Sequence, residues 1–262
     1  MPILKVDECS LYYTVKGKGI PIIFIHPPVL TSINFIYQAE ELSRYFQVIT
    51  FDIRGHGRSP FSIKPVTYPL IVEDINKLMN HLDIEKAFLC GYSAGASILL
   101  EFLLSTSKRR ALGGIMISGM SEVSDWRLIN RIRLAKNLAK IGALPALAWS
   151  ISKSNSDTEE LFKMMLLEAK KGDVRNIWQY YDYTLDYKSS DQLEKINMPI
   201  SLIYGDKDKP FFRYAQQLNC KLPQNELTLV KGIKHQVPTK SASELNKVIY
   251  QFIEKHSSIR GE

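Results

Sequence analysis

Short runs of apolar residues recur along the chain, and segments with helical periodicity separate them. A continuous apolar run is typical of a strand covered by helices on both faces, as in a parallel sheet. Six such runs lie at residues 21–25, 48–51, 87–90, 114–118, 200–204 and 227–230. Two earlier strands, at residues 3–7 and 11–15, form a hairpin pattern that is followed by a Gly17-Lys18-Gly19 turn. The order predicts an α/β fold with an eight-stranded, mostly parallel, doubly wound sheet whose later six strands are parallel.

One interval lacks strand patterns. Between the runs at 114–118 and 200–204 lie about 80 residues with helical patterns alone, which is too long for an ordinary connection. The predicted helices cover Ser124 to Lys140, residues 144–152, a segment from the Ser156-x-x-Glu159 box to Gly172, and a segment that Asp173 caps. We therefore expect residues 121–195 to form a helical cap over a pocket at one end of the sheet, and residues 1–120 and 196–262 to form the core.

The composition is that of an ordinary globular chain, since 45% of the 262 residues are hydrophobic and 23% are charged. These proportions exclude disordered, collagen-like and disulfide-stapled classes. The formal net charge is +7, and a nucleic-acid-binding protein would concentrate such charge on one surface. The densest basic groups, Lys108-Arg109-Arg110 and Lys170-Lys171, instead lie near the ends of predicted helices, where cations favour the helix dipole. We expect no nucleic-acid partner.

The cysteines and the amino terminus indicate the cellular compartment in which the protein is expected. Cys9, Cys90 and Cys220 are widely spaced and lack the Cys-x-x-Cys pairs of metal or redox sites, which favours a reduced compartment. The amino terminus reaches a charge at Lys5 and contains no apolar stretch of signal-peptide length. No uninterrupted apolar run approaches the ~18 residues of a membrane span. We expect a cytoplasmic protein without a membrane span, and the pattern leaves the oligomeric state open.

The clearest chemical motif is Gly91-Tyr92-Ser93-Ala94-Gly95, a Gly-x-Ser-x-Gly pattern between an apolar run and a helical segment. In a nucleophile elbow of this pattern, a strained turn exposes the serine hydroxyl, and the glycines let strand and helix approach closely. The pattern alone is weak evidence, so its position between strand and helix carries the prediction. Ser93 is the candidate nucleophile, and the alternative is that it only caps the helix.

A nucleophilic serine needs a base that takes its proton and a carboxylate that orients the base. Of the five histidines, His235 follows the last strand pattern, at the carboxyl edge where ligands of open α/β sheets bind. Asp206 and Asp208 leave the preceding strand at the same edge. The chain order Ser93, Asp208, His235 is the one that the elbow motif predicts.

A further loop extends these motifs into a family resemblance. Residues 52–59, Asp-Ile-Arg-Gly-His-Gly-Arg-Ser, match the Asp-x-Arg-Gly-x-Gly-x-Ser loop of α/β-hydrolases. Over essentially its whole length, the chain resembles the esterase, lipase and peroxidase-like branch of this superfamily. The resemblance implies the α/β-hydrolase fold and a structural role for the loop that contains His56. The family's Gly-x-x-Asp pattern implies Asp208 as the acid and leaves Asp206 as a turn or salt-bridge residue, although a small loop shift would exchange the two.

The resemblance also aligns the family's oxyanion loop with residues 25–30, Ile-His-Pro-Pro-Val-Leu. One donor, the Ala94 N–H directly after the nucleophile, is retained. The family's other donor falls on Pro28, which has no N–H, and Pro27 has none either. Three solutions are open: the Val29 N–H points into the hole, the Tyr92 side chain donates, or the reaction depends less on an oxyanion. We favour Val29.

Together, these residues predict a serine hydrolase that cleaves small to medium carboxylic esters through an acyl-enzyme on Ser93, with no metal or organic cofactor. The expected partner is therefore a small-molecule ester. The predicted cap carries aromatic and methionine residues that suggest an apolar pocket: Trp126, Trp149, Met164, Met165, Trp178, Tyr180, Tyr181, Tyr183 and Tyr187. The alternatives are a carbon–carbon bond hydrolase, a lactonase or a perhydrolase with the same triad, or a small-ligand receptor with slow turnover.

Overall fold

A central sheet of eight strands organises residues 2–257, the part of the chain that the computed structural model describes. Met1 and residues 258–262, which belong to the predicted core ranges, lie outside the described residues. The strands are β1 (Ile3–Val6), β2 (Cys9–Lys16), β3 (Pro21–Ile25), β4 (Gln47–Phe51), β5 (Ala87–Tyr92), β6 (Ala111–Ile117), β7 (Ile200–Gly205) and β8 (Asn225–Val230).

The strand order is β1-β2-β4-β3-β5-β6-β7-β8. The first hairpin is antiparallel, and β2 also pairs antiparallel with β4. All the remaining neighbours pair in parallel. The predicted sheet and the parallel direction of its later six strands are confirmed.

Helices cover both faces of this sheet. They are α1 (Ile36–Leu42), α2 (Tyr68–His81), α3 (Ala94–Leu104), α4 (Trp126–Lys140), α5 (Leu144–Asn155), α6 (Glu159–Ala169), α7 (Val174–Asp186), α8 (Lys209–Lys221), α9 (Val237–Lys240) and α10 (Ala242–Ser257). Ile23 and Ile25 of β3 pack into a core with residues of α2, α3 and α8, whereas Ile22 and Phe24 pack into a second core with α1 and α10. The alternation of side chains along each strand thus supplies two apolar cores.

Helices α4 to α7 occupy the interval between β6 and β7, where the sequence predicts helices alone. The first of them begins at Trp126, two residues after the predicted start, because the Asp125 side chain accepts hydrogen bonds from the N–H groups of Arg127 and Leu128. Asp173 begins α7 in the same way, as predicted.

The predicted start of the third helix is wrong. It lies at Glu159, where the Thr158 hydroxyl accepts a hydrogen bond of 3.1 Å from the Leu161 N–H. Ser156 instead terminates α5, which runs on to Asn155 beyond its predicted end. Both Ser156 and Thr158 offer a capping hydroxyl, and the longer α5 leaves only Thr158 in a position to use it.

The described residues also bear on the questions of a membrane span and a metal site. Within residues 2–257, no helix combines the length and apolar character needed to cross a membrane. The same residues contain no cluster of three or more His, Cys, Asp or Glu side chains that could hold a metal ion. The three cysteines are free thiols, with Cys9 and Cys90 buried and Cys220 exposed.

Candidate active site

Ser93 lies at the sharp turn between β5 and α3. Its backbone has φ 53° and ψ −120°, a left-handed conformation that is strained for a residue with a Cβ. The Ser93 N–H donates to the Ile117 carbonyl of β6 (2.8 Å), which ties the turn to the sheet. The Ser93 side chain makes no capping hydrogen bond to α3. The geometry is therefore that of a nucleophile elbow, and the helix-capping alternative does not describe this side chain.

The glycine after the elbow allows α3 to lie close against β3. A Cβ atom at Gly95 would overlap with the main-chain carbonyl of Ile25. We expect Gly95→Ala to lower the free energy of unfolding by about 3 kcal/mol, because backbone atoms cannot move aside as a flexible side chain can. Urea denaturation measures this loss.

Gly142 is the matched control for this substitution. A Cβ there meets nothing within 4 Å, and only the positive φ of 80° opposes an alanine. We expect Gly142→Ala to cost about 1 kcal/mol. Equal losses in the two variants would contradict a close approach of strand and helix at Gly95.

His235 connects Ser93 to a carboxylate. The His235 Nε2 lies 3.0 Å from Ser93 Oγ, and the Nδ1 lies 2.8 Å from Asp208 Oδ2. A carboxylate only accepts hydrogen bonds, so His235 donates from Nδ1 and leaves Nε2 free to accept the Ser93 proton. Asp208 is buried, whereas part of His235 reaches the cavity. These three side chains form one continuous hydrogen-bonded series.

Asp206 does not contact the imidazole. Its Oδ1 accepts a hydrogen bond of 2.8 Å from the Gly232 N–H and so holds the loop that follows β8. The structure brings Asp208 to His235 and leaves Asp206 as a turn residue.

Two residues that the sequence analysis did not single out also position His235. The Phe211 ring lies against the imidazole, with the ring centroids 4.2 Å apart. The Ser118 hydroxyl donates to the main-chain carbonyl of His235 (3.2 Å). Ser118 directly follows β6 at the same sheet edge, a signal that was readable in the sequence, whereas nothing in the pattern singles out Phe211.

The turn that carries the expected oxyanion donor is unusual. Val29 is buried and has φ 70°, which is a true outlier for a β-branched side chain. Among the described residues, no acceptor is found for the N–H groups of Val29, Leu30 or Ala94. Pro28, Leu30 and Ala94 line the cavity, but Val29 does not. The turn therefore holds two unused donors: the Val29 N–H, which the sequence predicts, and the Leu30 N–H, which it does not.

The Tyr92 hydroxyl is used elsewhere. It donates to Asn155 Oδ1 of α5 (3.0 Å), and burial raises the pKa of the phenol well above its usual value. The hydroxyl is thus a neutral donor that is directed at α5, and the sequence offers no signal for this Asn155 contact.

If Tyr92 does not serve the oxyanion, Tyr92→Phe should lower kcat by less than about fivefold, since losing an oxyanion donor costs 10²- to 10³-fold. The unfolding free energy should fall by about 1 kcal/mol, because Asn155 loses its partner. Steady-state kinetics on the best ester and urea denaturation measure the two effects. A hundredfold loss of kcat would instead show that the Tyr92 hydroxyl serves as an oxyanion donor.

A cavity of about 410 Å³ opens in front of Ser93. Most of its wall is apolar, and α4 and α5 supply the side opposite the sheet: Leu128, Ile132, Leu138, Leu147 and Ile151. Of the aromatic and methionine residues expected there, only Tyr181 appears among the described lining residues. Tyr180 and Met165 are buried in the apolar cores, and Trp126 and Trp149 are exposed. Aliphatic side chains, more than aromatic ones, shape this cavity.

The loop at residues 52–59 does not line the cavity, but it is hydrogen-bonded to the segment after β3. Asp52 accepts hydrogen bonds from the N–H groups of Ser32 (2.8 Å) and Arg58 (3.0 Å), which joins the loop to the segment after β3. His56 is buried beside His26, with ring centroids 5.3 Å apart, and neither lines the cavity. His26 donates from Nδ1 to the Pro27 carbonyl and accepts at Nε2 from an N–H, both at 2.9 Å. Both histidines are thus structural parts of the loops.

These two histidines make stability depend on pH. Burial lowers the pKa of His26 to about 4 and that of His56 to about 3. Below an unfolded pKa near 6.5, the unfolded chain binds protons that the folded chain does not, so stability falls as the pH falls. We expect a loss of about 1.4 kcal/mol per pH unit for each histidine between pH 6 and pH 5.

Urea denaturation between pH 7.5 and pH 5 measures this loss. His56→Gln removes one titrating group and should remove about half of the pH dependence. A wild-type profile that stays flat from pH 6.5 to pH 5 would contradict the burial of two neutral imidazoles.

Comparison with known proteins places this geometry in a family. The sequence model of the alpha/beta hydrolase fold matches residues 20–236. The AB hydrolase superfamily protein YisY of Bacillus subtilis (strain 168) is 24% identical over 269 residues, which cover 95% of this chain and 97% of that protein.

Solved structures agree with this sheet. The esterase EaEST from Exiguobacterium antarcticum has a TM-score of 0.87 at 17% identity and covers 96% of this chain and 98% of its own. The enol-lactonase from Burkholderia xenovorans LB400 has a TM-score of 0.83 at 17% identity, with coverage of 97% and 100%. At such identities the likeness shows the fold alone. Since the family model spans the sheet from the start of β3 to the residue after His235, the chain belongs to the α/β-hydrolase family.

Proposed function

We propose that this protein is a serine hydrolase that cleaves carboxylic esters of small to medium size through an acyl-enzyme on Ser93. The observation that carries the proposal is the hydrogen-bonded series from Ser93 through His235 to Asp208, which opens onto a largely apolar cavity. A serine hydroxyl that is hydrogen-bonded to an imidazole, which is in turn held by a carboxylate, is the arrangement that activates a weak nucleophile.

In the proposed reaction, Ser93 Oγ attacks the acyl carbon of the ester while His235 Nε2 takes the hydroxyl proton. Asp208 keeps the imidazole in the required tautomer and stabilises its protonated form. The alcohol leaves with the proton from His235. Water, deprotonated by the same imidazole, then attacks the acyl-enzyme and releases the acid.

The oxyanion of each tetrahedral intermediate would be held by the Ala94 N–H and by an N–H of the turn after β3. The Val29 N–H, which the sequence favours, and the Leu30 N–H are both without an acceptor among the described residues, and of the two residues Leu30 lines the cavity. The unusual φ of Val29 supports a turn adapted to prolines, since strained conformations concentrate at functional sites.

We further propose that residues 121–195 act as a cap. Helices α4 and α5 supply much of the cavity wall. Two hydrogen bonds join α5 to the elements that carry the triad: Tyr92 to Asn155 at 3.0 Å, and Gln236 to Ser154 at 3.0 Å. Opening of this contact is the natural route by which substrate would enter.

The test is hydrolysis of 4-nitrophenyl esters from acetate to dodecanoate at pH 6 to 9, by the wild type and by Ser93→Ala. Rapid turnover that depends on Ser93 and peaks at short or middle chains supports the proposal. Negligible turnover with a serine that an organophosphonate still labels would direct attention to a different bond or to a receptor.

A lactonase is the second candidate. A lactone is a cyclic carboxylic ester, so the same three groups would open it, and the enol-lactonase from Burkholderia xenovorans LB400 shares the fold. A kcat/KM for lactones above that for every linear ester would favour it. A carbon–carbon bond hydrolase or a perhydrolase would be revealed by the same profiling with diketone or peroxide substrates.

A further inference from the structure

One side chain sets the charge of the cavity. Among the described residues that line it, Arg131 of α4 is the one with a permanent charge, and no aspartate or glutamate lines it. The remaining wall is apolar or carries neutral groups such as Tyr92 and Asn155. The wall of the cavity in front of Ser93 therefore carries one permanent positive charge, and the Asp208 carboxylate lies behind His235 without lining it.

Arg131 shares the cavity face of its helix with apolar residues. Leu128, Arg131, Ile132 and Ala135 all line the cavity, with the spacing of one helical face. Arg131 itself is solvent-exposed, which places it towards the opening of the cavity. A ligand that enters the cavity therefore passes this cation.

Two other cations of α4 contact a neighbouring side chain. Lys136 pairs with Asp182, and Arg127 lies over the Trp126 ring at 5.4 Å. Within the part of the chain that the structure describes, Arg131 has neither a carboxylate partner nor a hydrogen-bond acceptor. Its guanidinium is therefore available to a ligand.

The charge of Arg131 also acts on two tyrosines of the cavity wall, Tyr92 and Tyr181. Burial raises the pKa of both Tyr92 and Tyr181, and the Asp208 carboxylate adds to the rise at Tyr92. The guanidinium of Arg131 partly opposes the rise in each. Tyr92 directly precedes Ser93, so the field of Arg131 extends to the reacting end of the cavity.

We propose that Arg131 binds a carboxylate of the substrate, so that the preferred esters carry a second, ionised acid group. This inference rests on the proposed hydrolase function and adds a substrate class to it. A planar guanidinium binds a carboxylate through two parallel hydrogen bonds, a geometry that a neutral chain end cannot match.

Two esters of equal length test the preference. In mono-4-nitrophenyl glutarate, a carboxylate stands where 4-nitrophenyl pentanoate has a methyl group, so the two differ in charge at one end. The measured quantity is the selectivity, kcat/KM for the glutarate over kcat/KM for the pentanoate. We expect Arg131→Gln to lower this selectivity about tenfold, mainly through KM of the glutarate, and Arg131→Lys to retain part of it.

Arg133→Gln is the matched control. Arg133 lies on the same helix and is exposed, but it does not line the cavity, so its removal changes the net charge equally. We expect it to change the selectivity by less than about twofold. If the two variants lower the selectivity equally, the effect is long-range attraction and the proposed contact is wrong.

Binding measured without turnover separates this inference from the proposed function. Calorimetric titration of monomethyl glutarate into Ser93→Ala, and into the same protein with Arg131→Gln, should give a Kd about tenfold weaker in the second. An unchanged Kd overturns the carboxylate site whether or not esters are hydrolysed. Failure of Ser93-dependent ester hydrolysis, with the Kd difference present, overturns the proposed function and leaves the anion site standing.

Discussion

Ser93→Ala is expected to lower kcat by a factor on the order of 10⁴ to 10⁶. The reason is that alanine removes the hydroxyl oxygen that lies 3.0 Å from His235 Nε2, in position to be deprotonated. Residual hydrolysis then comes from attack by water on a bound ester, which the remaining donors assist weakly. Steady-state and single-turnover kinetics with the best 4-nitrophenyl ester measure the loss.

The fold should survive this substitution. The Ser93 hydroxyl makes no helix-capping hydrogen bond, and the neighbouring N–H bond to Ile117 is a main-chain contact that alanine keeps. Urea denaturation of Ser93→Ala should therefore give an unfolding free energy within about 1 kcal/mol of the wild type. A folded variant that retains more than a few per cent of kcat would exclude Ser93 as the nucleophile.

Asp208→Asn is expected to lower kcat about 10⁴-fold. The asparagine amide donates a hydrogen bond to His235 Nδ1, and this stabilises the tautomer with the proton on Nε2. That tautomer cannot accept the Ser93 proton, although the side chain keeps its size and the 2.8 Å contact is retained. A large loss of kcat with little change in KM is the expected pattern.

Asp206→Asn is the matched control for Asp208→Asn. The two positions lie on one loop, but Asp206 accepts its hydrogen bond from the Gly232 N–H, and the carbonyl oxygen of asparagine can still accept it. We expect kcat within about fivefold of the wild type. Equal losses in both variants would show that the loop exchanges the two carboxylates during turnover, which would contradict Asp208 as the sole partner of His235.

Much of the fold is readable from local pattern. A run such as residues 21–25 can be buried only if helices cover both faces, so it predicts a parallel strand without knowledge of its neighbours. Parallel strands bring their carboxyl ends to one edge. For that reason Ser93 and Asp208 meet His235 although 142 and 27 positions separate them from it.

Other features depend on contacts between distant segments. The prolines at residues 27 and 28 show that this turn lacks two N–H groups, but the positive φ of Val29 and the free N–H of Leu30 appear only in the folded turn. The start of α6 likewise depended on how far α5 runs, since Ser156 and Thr158 offer similar hydroxyl groups. Local pattern cannot distinguish such choices, because their energies differ little before packing is complete.

The sequence by itself determined the doubly wound sheet, the sharp turn at Ser93 and the sheet edge at which Asp208 and His235 follow their strands. These follow from periodicity and chain order, which a linear pattern records directly. Only the tertiary structure decided that the Tyr92 hydroxyl turns to Asn155 and that Arg131 faces the cavity while Arg133 does not. The physical reason is that these outcomes depend on how a helix is rotated against elements far away in the chain, and one position along a helix changes that direction by about 100°.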